Sequence, residues 1–500
     1  MIYLDGNQLH NERTEDCDIV IVGSGPAGAS VAQVLADSGL SVIVVEEGPW
    51  IKPHEFESES FRAMSKYYRG GGFDMMMGRA PTSITQGVML GGSSPINGAL
   101  SWYFPEKIYR SWVKNDPEIA KSFDWQTIST TAEKIDRLLN ILPSEEKVRT
   151  RKEELFAKGA DALGIPYVAS RKNVKGCVGT GFCLDGCPKG NKMSMERTFL
   201  PYAADKGTKI ITNVRVTRIN KDKGRVTGVT GISTSTGKTL TIRAKKSVVL
   251  AASAIQTPAI LRRSAIMHGP VGDNLAYHMN VSVMGKFPEP VEIWRGAPGS
   301  YSIHGVEDGK LKIETLGFSM TFNAMRLKEY GDDLSRELQD LRYWNSYGVC
   351  VQVSGKGKVR PGNNREKVSY KLTRDDMKLI RRGTGILGEL LLAGGATYVT
   401  PAVHGWHTRV HDLETMRKIT TEGSLDPRAY NMAANHLFST CVMGSDKKHS
   451  VVDTEFRHHE YRNLFIADSS VFPTNTGVNP QQSIMTIAMI CGEKVRKYYE

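Results

Sequence analysis

Residues 18–48 read DIVIVGSGPAGASVAQVLADSGLSVIVVEEG, and their order decides the fold class. DIVIV is a short, continuous, β-branched apolar run of the kind that forms a strand buried on both faces. GSGPAG follows, then ASVAQVLADSG, whose apolar positions fit one face of a helix ending at Gly39; SVIVV is a second buried strand. Strand, turn, helix and strand over about thirty residues make one crossover unit of a parallel sheet.

Within that unit Gly23, Gly25 and Gly28 form G-x-G-x-x-G directly after a strand and at the start of a helix. The first glycine permits the tight turn, the second lets the backbone approach a pyrophosphate, and the third lets the helix lie against the strand. The helix N-terminus presents free N–H groups to the phosphates. Glu46 closes the second strand, placed to accept hydrogen bonds from a ribose diol. A second copy, Gly383, Gly385 and Gly388, follows DDMKLIRR, a helical pattern, and lacks a following strand with a terminal acid. It reads as close helix packing through small residues. The fingerprint does not choose between NAD and FAD.

The chain has 500 residues, 40% hydrophobic and 24% charged, which is ordinary globular composition and enough for about two domains. The net charge of +12 favours anionic partners, but the basic residues are spread out and no aromatic-basic stripe marks a nucleic-acid surface. MIYLDGNQLHNERTEDCD lacks the pattern of a secretory signal, and no apolar run approaches the roughly 18 residues of a membrane span. Seven cysteines, an odd number, argue against a disulfide framework. A cytoplasmic location is expected, with export alongside a signal-bearing partner as the alternative.

Further on, TKIITNVRVTRINKDKGRVTGVTGI and TIRAKKSVVLAASAI read as strands joined by hairpins. Residues 375–392 form an amphipathic helix stopped by Gly394 and Gly395, and 300–370 alternate as in an antiparallel sheet. The expected fold is α/β: a Rossmann-type nucleotide-binding domain interleaved with a substrate domain built on an antiparallel sheet covered by helices. Residues 14–110, 196–280 and 445–500 are assigned to the first, and 111–195 and 281–444 to the second.

Other stretches narrow the reading. GGSSPING (91–98), LAASAIQTPAILRRS (250–264), VGDNLAYH (271–278), HLFSTCVMG (436–444) and IADSSVFPTNTGVNPQQSIMTI (466–487) stand in an order and spacing that resemble the glucose–methanol–choline (GMC) family of FAD-dependent oxidoreductases. The resemblance runs from about residue 17 to 495; residues 290–435 match least. Family members usually have glycine where Ser253 and Ala265 stand here. The resemblance implies FAD, with Gly92, Ser93, Asn97 and Gly98 along the flavin. It also places Asp468 at the ribityl–pyrophosphate portion, Pro480 near the ring and the Val216 backbone at the adenine. A covalent flavin link in the family usually uses a histidine near GGSS; residues 81–103 contain none, so non-covalent FAD is expected.

Flavin oxidation of an alcohol takes hydride from the carbinol carbon, and the hydroxyl proton must leave as well. A histidine near neutrality suits that proton, and a second hydrogen-bonding group should hold the oxygen. The resemblance puts His436 in the place of the active-site histidine and Asn479 where the family has a second histidine or an asparagine. His436 is therefore expected as the base and Asn479 as its oxygen-positioning partner, in oxidation of CH–OH to a carbonyl. His278 matches a residue that is usually structural. His404, His407 and His411 do not share one helical face, so no metal site is assigned to them. A non-catalytic flavoprotein subunit is the alternative class.

The loop GCVGTGFCLDGCPKG (176–190) carries Cys177, Cys183 and Cys187. Zinc would lack a fourth ligand, and a disulfide is disfavoured in a reducing compartment. Two readings stay open: a [3Fe–4S] cluster on three thiolates, as in family dehydrogenases that pass electrons to a cytochrome, or a packed hairpin that positions the segment after it. With them stays open the electron acceptor, dioxygen or a redox partner protein.

Overall fold

The computed structural model describes residues 2–317, 319–327, 329–363 and 365–500. Strands β1 (Ile2–Asp5), β2 (Arg13–Val22) and β3 (Val42–Val45) open the first sheet, with helix α1 (Pro26–Leu35) between the last two. β2 and β3 run parallel with Ile19 opposite Val42 and Val22 opposite Val45. Four further strands, β4 (Lys209–Thr212), β5 (Val214–Asp222), β6 (Arg225–Ser233) and β7 (Thr239–Leu250), complete the order β1-β4-β3-β2-β7-β6-β5, and Leu464–Ile466 pairs with β7. All neighbours from β1 to β7 are parallel, whereas β5 and β6 fold back as antiparallel hairpins. The continuous apolar runs of β2 and β3 are buried on both faces, as a parallel sheet covered by helices requires. Helix α2 (Ser253–Arg263) follows β7 directly.

The second sheet has eleven strands among the described residues. Its centre consists of β8 (Ala276–Lys286), β9 (Tyr301–Val306), β10 (Leu311–Thr315), β11 (Trp344–Gln352) and β12 (Ala433–Phe438), in the order β12-β8-β11-β10-β9, every pair antiparallel. Helix α3 (Arg374–Gly394) covers it and ends at Gly395 in the left-handed conformation, φ +108°. The second glycine triplet works as packing: a Cβ on Gly383 would stand 2.9 Å from Val349, and one on Gly388 would stand 2.4 Å from the Met416 sulfur. Helix α4 (Gln481–Tyr499) returns to the first sheet and lies against α1 at Gly492 and Val34.

Segments of the two sheets and their cores cross the expected domain limits. Asp74–Met77 and Thr82–Ile84, assigned above to the nucleotide domain, pair into the second sheet. Trp112, Ile128, Ile135 and Leu139, assigned to the substrate domain, belong to the core beneath the first sheet. Apolar periodicity states that a face is buried, not which of two cores buries it. Ser253 and Ala265 both hold left-handed backbone, φ +88° and +51°. That conformation explains why glycine is usual at these places.

Candidate active site

The β2–α1 turn is built by close backbone approach. A Cβ on Gly23, at φ +98°, would lie 2.4 Å from the Ala251 carbonyl oxygen, and one on Gly28 would lie 1.9 Å from the Gly23 carbonyl oxygen. Gly25 differs: the nearest atom to its Cβ position is the Gly92 Cα at 3.8 Å. The backbone there borders open space, a cradle that a side chain would fill and that suits a pyrophosphate. Glu46 accepts from the Ser24 hydroxyl (2.6 Å), the Ser24 amide (3.1 Å) and the Gly48 amide (2.9 Å), and burial pushes its carboxyl pKa up. Its carbonyl accepts from the Val214 amide, two residues before Val216, so the positions expected at the ribose and at the adenine meet at this edge.

The loop 91–98 leans directly on this turn. Gly92, at φ +60°, approaches Gly25 so closely that a Cβ on it would be 2.8 Å from the Gly25 Cα. Gly91 donates to the Ser24 hydroxyl and Ser93 accepts from the Gly87 amide. Asn97 accepts from the Ala99 amide and donates to Gln481 at the start of α4, next to Pro480. Asp468 is buried; its carboxylate accepts from the amides of Ser470 (2.8 Å) and Ser253 (3.0 Å) and the Thr257 hydroxyl (2.5 Å), while burial raises its pKa. It thereby ties the 466–480 segment to the start of α2.

His436 lies on β12 directly opposite His278 on β8. Their Nδ1 atoms are 3.2 Å apart, and the Gly477 amide donates to His278 Nε2 at 2.8 Å. Burial holds the His436 imidazole down to about 4, aided by the Lys312 charge and opposed by Glu314. Burial, the neighbouring His436 and Lys312 hold His278 far lower than usual. Asn479 accepts from Lys312 Nζ at 2.5 Å, and the same ammonium is paired with Glu314. Lys312 faces Cys350 across β10 and β11, stands 5.4 Å above the Trp102 ring, and is almost wholly buried. The Cys350 sulfur is 3.9 Å from His436 Nδ1. His436 and Asn479 are thus linked through Gly477–His278 on one side and Lys312–Cys350 on the other.

Sequence reasoning missed Lys312, Glu314 and Trp102 and treated His278 as structural. In LKIET the alternation places Lys312 and Glu314 opposite Leu311 and Ile313, which reads as a solvent face. Only the nucleotide-side segments laid over that face reveal it as buried. His278, Cys350 and His436 are the one set among the described residues whose three ligand atoms lie within 4.8 Å of one another. The Gly477 amide nevertheless leaves His278 Nδ1 protonated, so that atom is a donor rather than a metal ligand. The histidines 404, 407 and 411 form no such set.

Cys177, Cys183 and Cys187 line one small pocket together with Asn191, Lys192 and Ala297. The Asn191 amide points at the Cys187 sulfur, 3.3 Å away. Lys192 Nζ donates to the carbonyls of Pro95 (2.7 Å), Asn97 (2.6 Å) and Cys183 (2.8 Å), and Lys172 Nζ donates to Gly98 (2.8 Å) and Pro298 (2.6 Å). Two buried ammonium groups therefore join the 91–98 loop to the cysteine loop and its surroundings.

Models of the GMC oxidoreductase family match residues 64–280 and 353–488, and a pyridine nucleotide-disulphide oxidoreductase model matches residues 18–90. The chain belongs to the GMC oxidoreductase family, which comprises flavoprotein-type oxidases and dehydrogenases. It is 31% identical over 98% of its length to an uncharacterized GMC-type oxidoreductase of Sinorhizobium fredii, covering 96% of that protein. It is 26% identical to a long-chain-alcohol oxidase of Arabidopsis thaliana, over 96% of this chain and 68% of the oxidase. A formate oxidase variant of Aspergillus oryzae, solved to study modification of its FAD, superposes with a TM-score of 0.75 at 16% identity, covering 97% of this chain and 99% of that one. The Rossmann-like fold is shared. Among the described residues no helix is long and apolar enough to cross a membrane.

Proposed function

We propose that this chain oxidises the CH–OH group of a small alcohol to a carbonyl with non-covalently bound FAD. Gly23, Gly25, Gly28 and Glu46 would hold the pyrophosphate and ribose, Val216 the adenine side, Gly92, Ser93, Asn97 and Gly98 the flavin edge, and Asp468 and Pro480 the segment behind it. Bound FAD supplies a two-electron acceptor for the carbinol hydrogen. His436 and Asn479 bind the hydroxyl oxygen, keep the carbinol carbon oriented and exclude water from it. The observation that carries the reading is the fixed pair His436–His278–Gly477 and Asn479–Lys312 on the sheet face next to the 475–480 segment. The sequence relatives include long-chain-alcohol oxidases and a 2-methyl-1,2-propanediol dehydrogenase. The Lys312–Glu314 pair and His304 give the site a polar wall, better suited to a hydroxyl-rich alcohol than to an alkyl chain. The test is anaerobic flavin reduction by a panel of D-glucose, glycerol, benzyl alcohol and 1-dodecanol. At least one should bleach the flavin absorption, and His436→Ala should abolish the bleaching.

A second reading concerns the acceptor. The three free cysteines line one pocket, and three thiolates are the ligand number that a [3Fe–4S] cluster takes. The buried ammonium groups of Lys172 and Lys192 offset thiolate charge. These residues fit a [3Fe–4S] cluster, with electrons passed to a redox partner protein rather than to dioxygen. Iron analysis of protein purified without air should find about three irons per chain on this reading, and none if the loop is only a packed hairpin.

A further inference from the structure

Lysines 152, 172, 192 and 312 are buried. Lys152 and Lys312 each pair with a carboxylate, Glu153 and Glu314. Lys172 and Lys192 meet only carbonyl oxygens among the described residues, and both reach the 95–98 backbone. Local pairing sets them there. Lys172 lies on the strand Arg171–Asn173, opposite Leu100, while Val174 bridges Lys192 and the Asn173 amide donates to the Ala99 carbonyl at 3.1 Å. Burial works against a charge on Lys192. A neutral amine, however, has two hydrogens, and its lone pair would face the third oxygen. Three carbonyls at 2.6, 2.7 and 2.8 Å need the three hydrogens of an ammonium.

The far side of the same backbone is open. Every peptide bond here is trans, so a carbonyl turned one way sends the next N–H the other way. With the Asn97 carbonyl on Lys192, the Gly98 N–H points away from it, and it meets no acceptor among the described residues. The φ of Gly98 is outside the left-handed region, and a Cβ on it would meet only Leu100, at 3.9 Å. Neither backbone strain nor a protein neighbour calls for glycine at this position. A ligand lying against the face does, as at Gly25.

We propose that Lys192 is a fixed positive charge behind the Asn97–Gly98 peptide that raises the reduction potential of the bound flavin. This rests on the FAD site proposed above, with Gly98 along the flavin, and does not depend on whether the cysteines hold iron. Reduction by two electrons from the alcohol, with uptake of one proton, adds one negative charge to the flavin. An ammonium screened by neither water nor a carboxylate favours that charge across the peptide. It also polarises the peptide it binds, which makes the Gly98 N–H a stronger donor.

The test is the flavin midpoint potential, read from the flavin absorption during slow anaerobic reduction by xanthine and xanthine oxidase with a reference dye. Lys192→Gln keeps two donors for the loop and removes the charge; Lys192→Met removes both. In each the potential should fall by about 30 mV or more, about a tenfold change in the two-electron equilibrium, with FAD still bound. A Lys192→Gln potential within about 10 mV of wild type, about a twofold change, overturns the proposal. So does a fall confined to Lys192→Met, which would make the lysine a loop support and nothing more. If neither variant folds, the wild-type potential decides: it should lie above that of free FAD, and a value at or below free FAD overturns the proposal. Protein that binds no FAD removes this inference together with the function proposed above. Flavin that the dye system reduces but no alcohol does removes only the alcohol oxidation, and the potential shift still tests Lys192.

Discussion

Replacing Gly25 by alanine separates the nucleotide site from the fold. The position has φ −64° and ψ −174°, which alanine adopts without strain, and the added Cβ would meet nothing nearer than the Gly92 Cα at 3.8 Å. Ordinary van der Waals contact leaves the flavin-free protein as stable as wild type, within about 0.5 kcal/mol. The same methyl group occupies the cradle that a pyrophosphate must enter. Losing one charge-assisted bond from a backbone N–H to phosphate costs about 1.5–3 kcal/mol, or about 10- to 150-fold in Kd for FAD. Quenching of FAD fluorescence on titration into deflavinated protein gives the Kd, and thermal unfolding of the same preparation gives the stability. FAD affinity within threefold of wild type would refute a pyrophosphate over Gly25. A loss of stability above about 1 kcal/mol would refute the open cradle itself.

Gly28→Ala should behave in the opposite way, destabilising the flavin-free protein by about 1–3 kcal/mol, because its Cβ would stand 1.9 Å from the Gly23 carbonyl oxygen and force α1 off the sheet; denaturant unfolding measures this. Ala265→Gly should raise stability by about 0.5 kcal/mol, the left-handed strain at φ +51° outweighing the added chain entropy. Ser253→Gly should gain less, since its hydroxyl is bonded to Gln256 at 2.6 Å. Burial holds His436 and His304 to about 4 and His458 to about 3, so the unfolded chain binds protons below pH 6.5 that the native chain does not. Stability should therefore fall as pH drops from 6.5 towards 4, by up to about 1.4 kcal/mol per pH unit for each histidine, and His458→Gln should flatten that slope in unfolding titrations.

The nucleotide half of this protein is written locally. DIVIV, the glycine spacing and Glu46 lie within one crossover unit, so strand, turn, helix and ligand cradle follow from neighbours in the chain and the hard contacts between them. Gly383, Gly385 and Gly388 could also be told apart from that fingerprint, because the helical pattern before them is itself local. GGSSPING and the segment around Asn479 were legible through resemblance, and the structure places them against the glycine turn and the second sheet.

What the tertiary structure decided is the character of the polar groups. Lys312 and Glu314 alternate with buried Leu311 and Ile313 as a solvent face would, and only the cover from Trp102 and the 475–480 segment turns that face into the interior. His278 and His436 are 158 residues apart, yet antiparallel register puts one ring on the other, and the Gly477 amide then decides which His278 nitrogen accepts. The division of residues between the two cores was likewise invisible, because an apolar stripe specifies burial but carries no address. Sequence alone determined where a nucleotide could lie. Which atoms donate and which accept at the reacting end depends on contacts between distant segments, since a side chain's proton is placed by its partners.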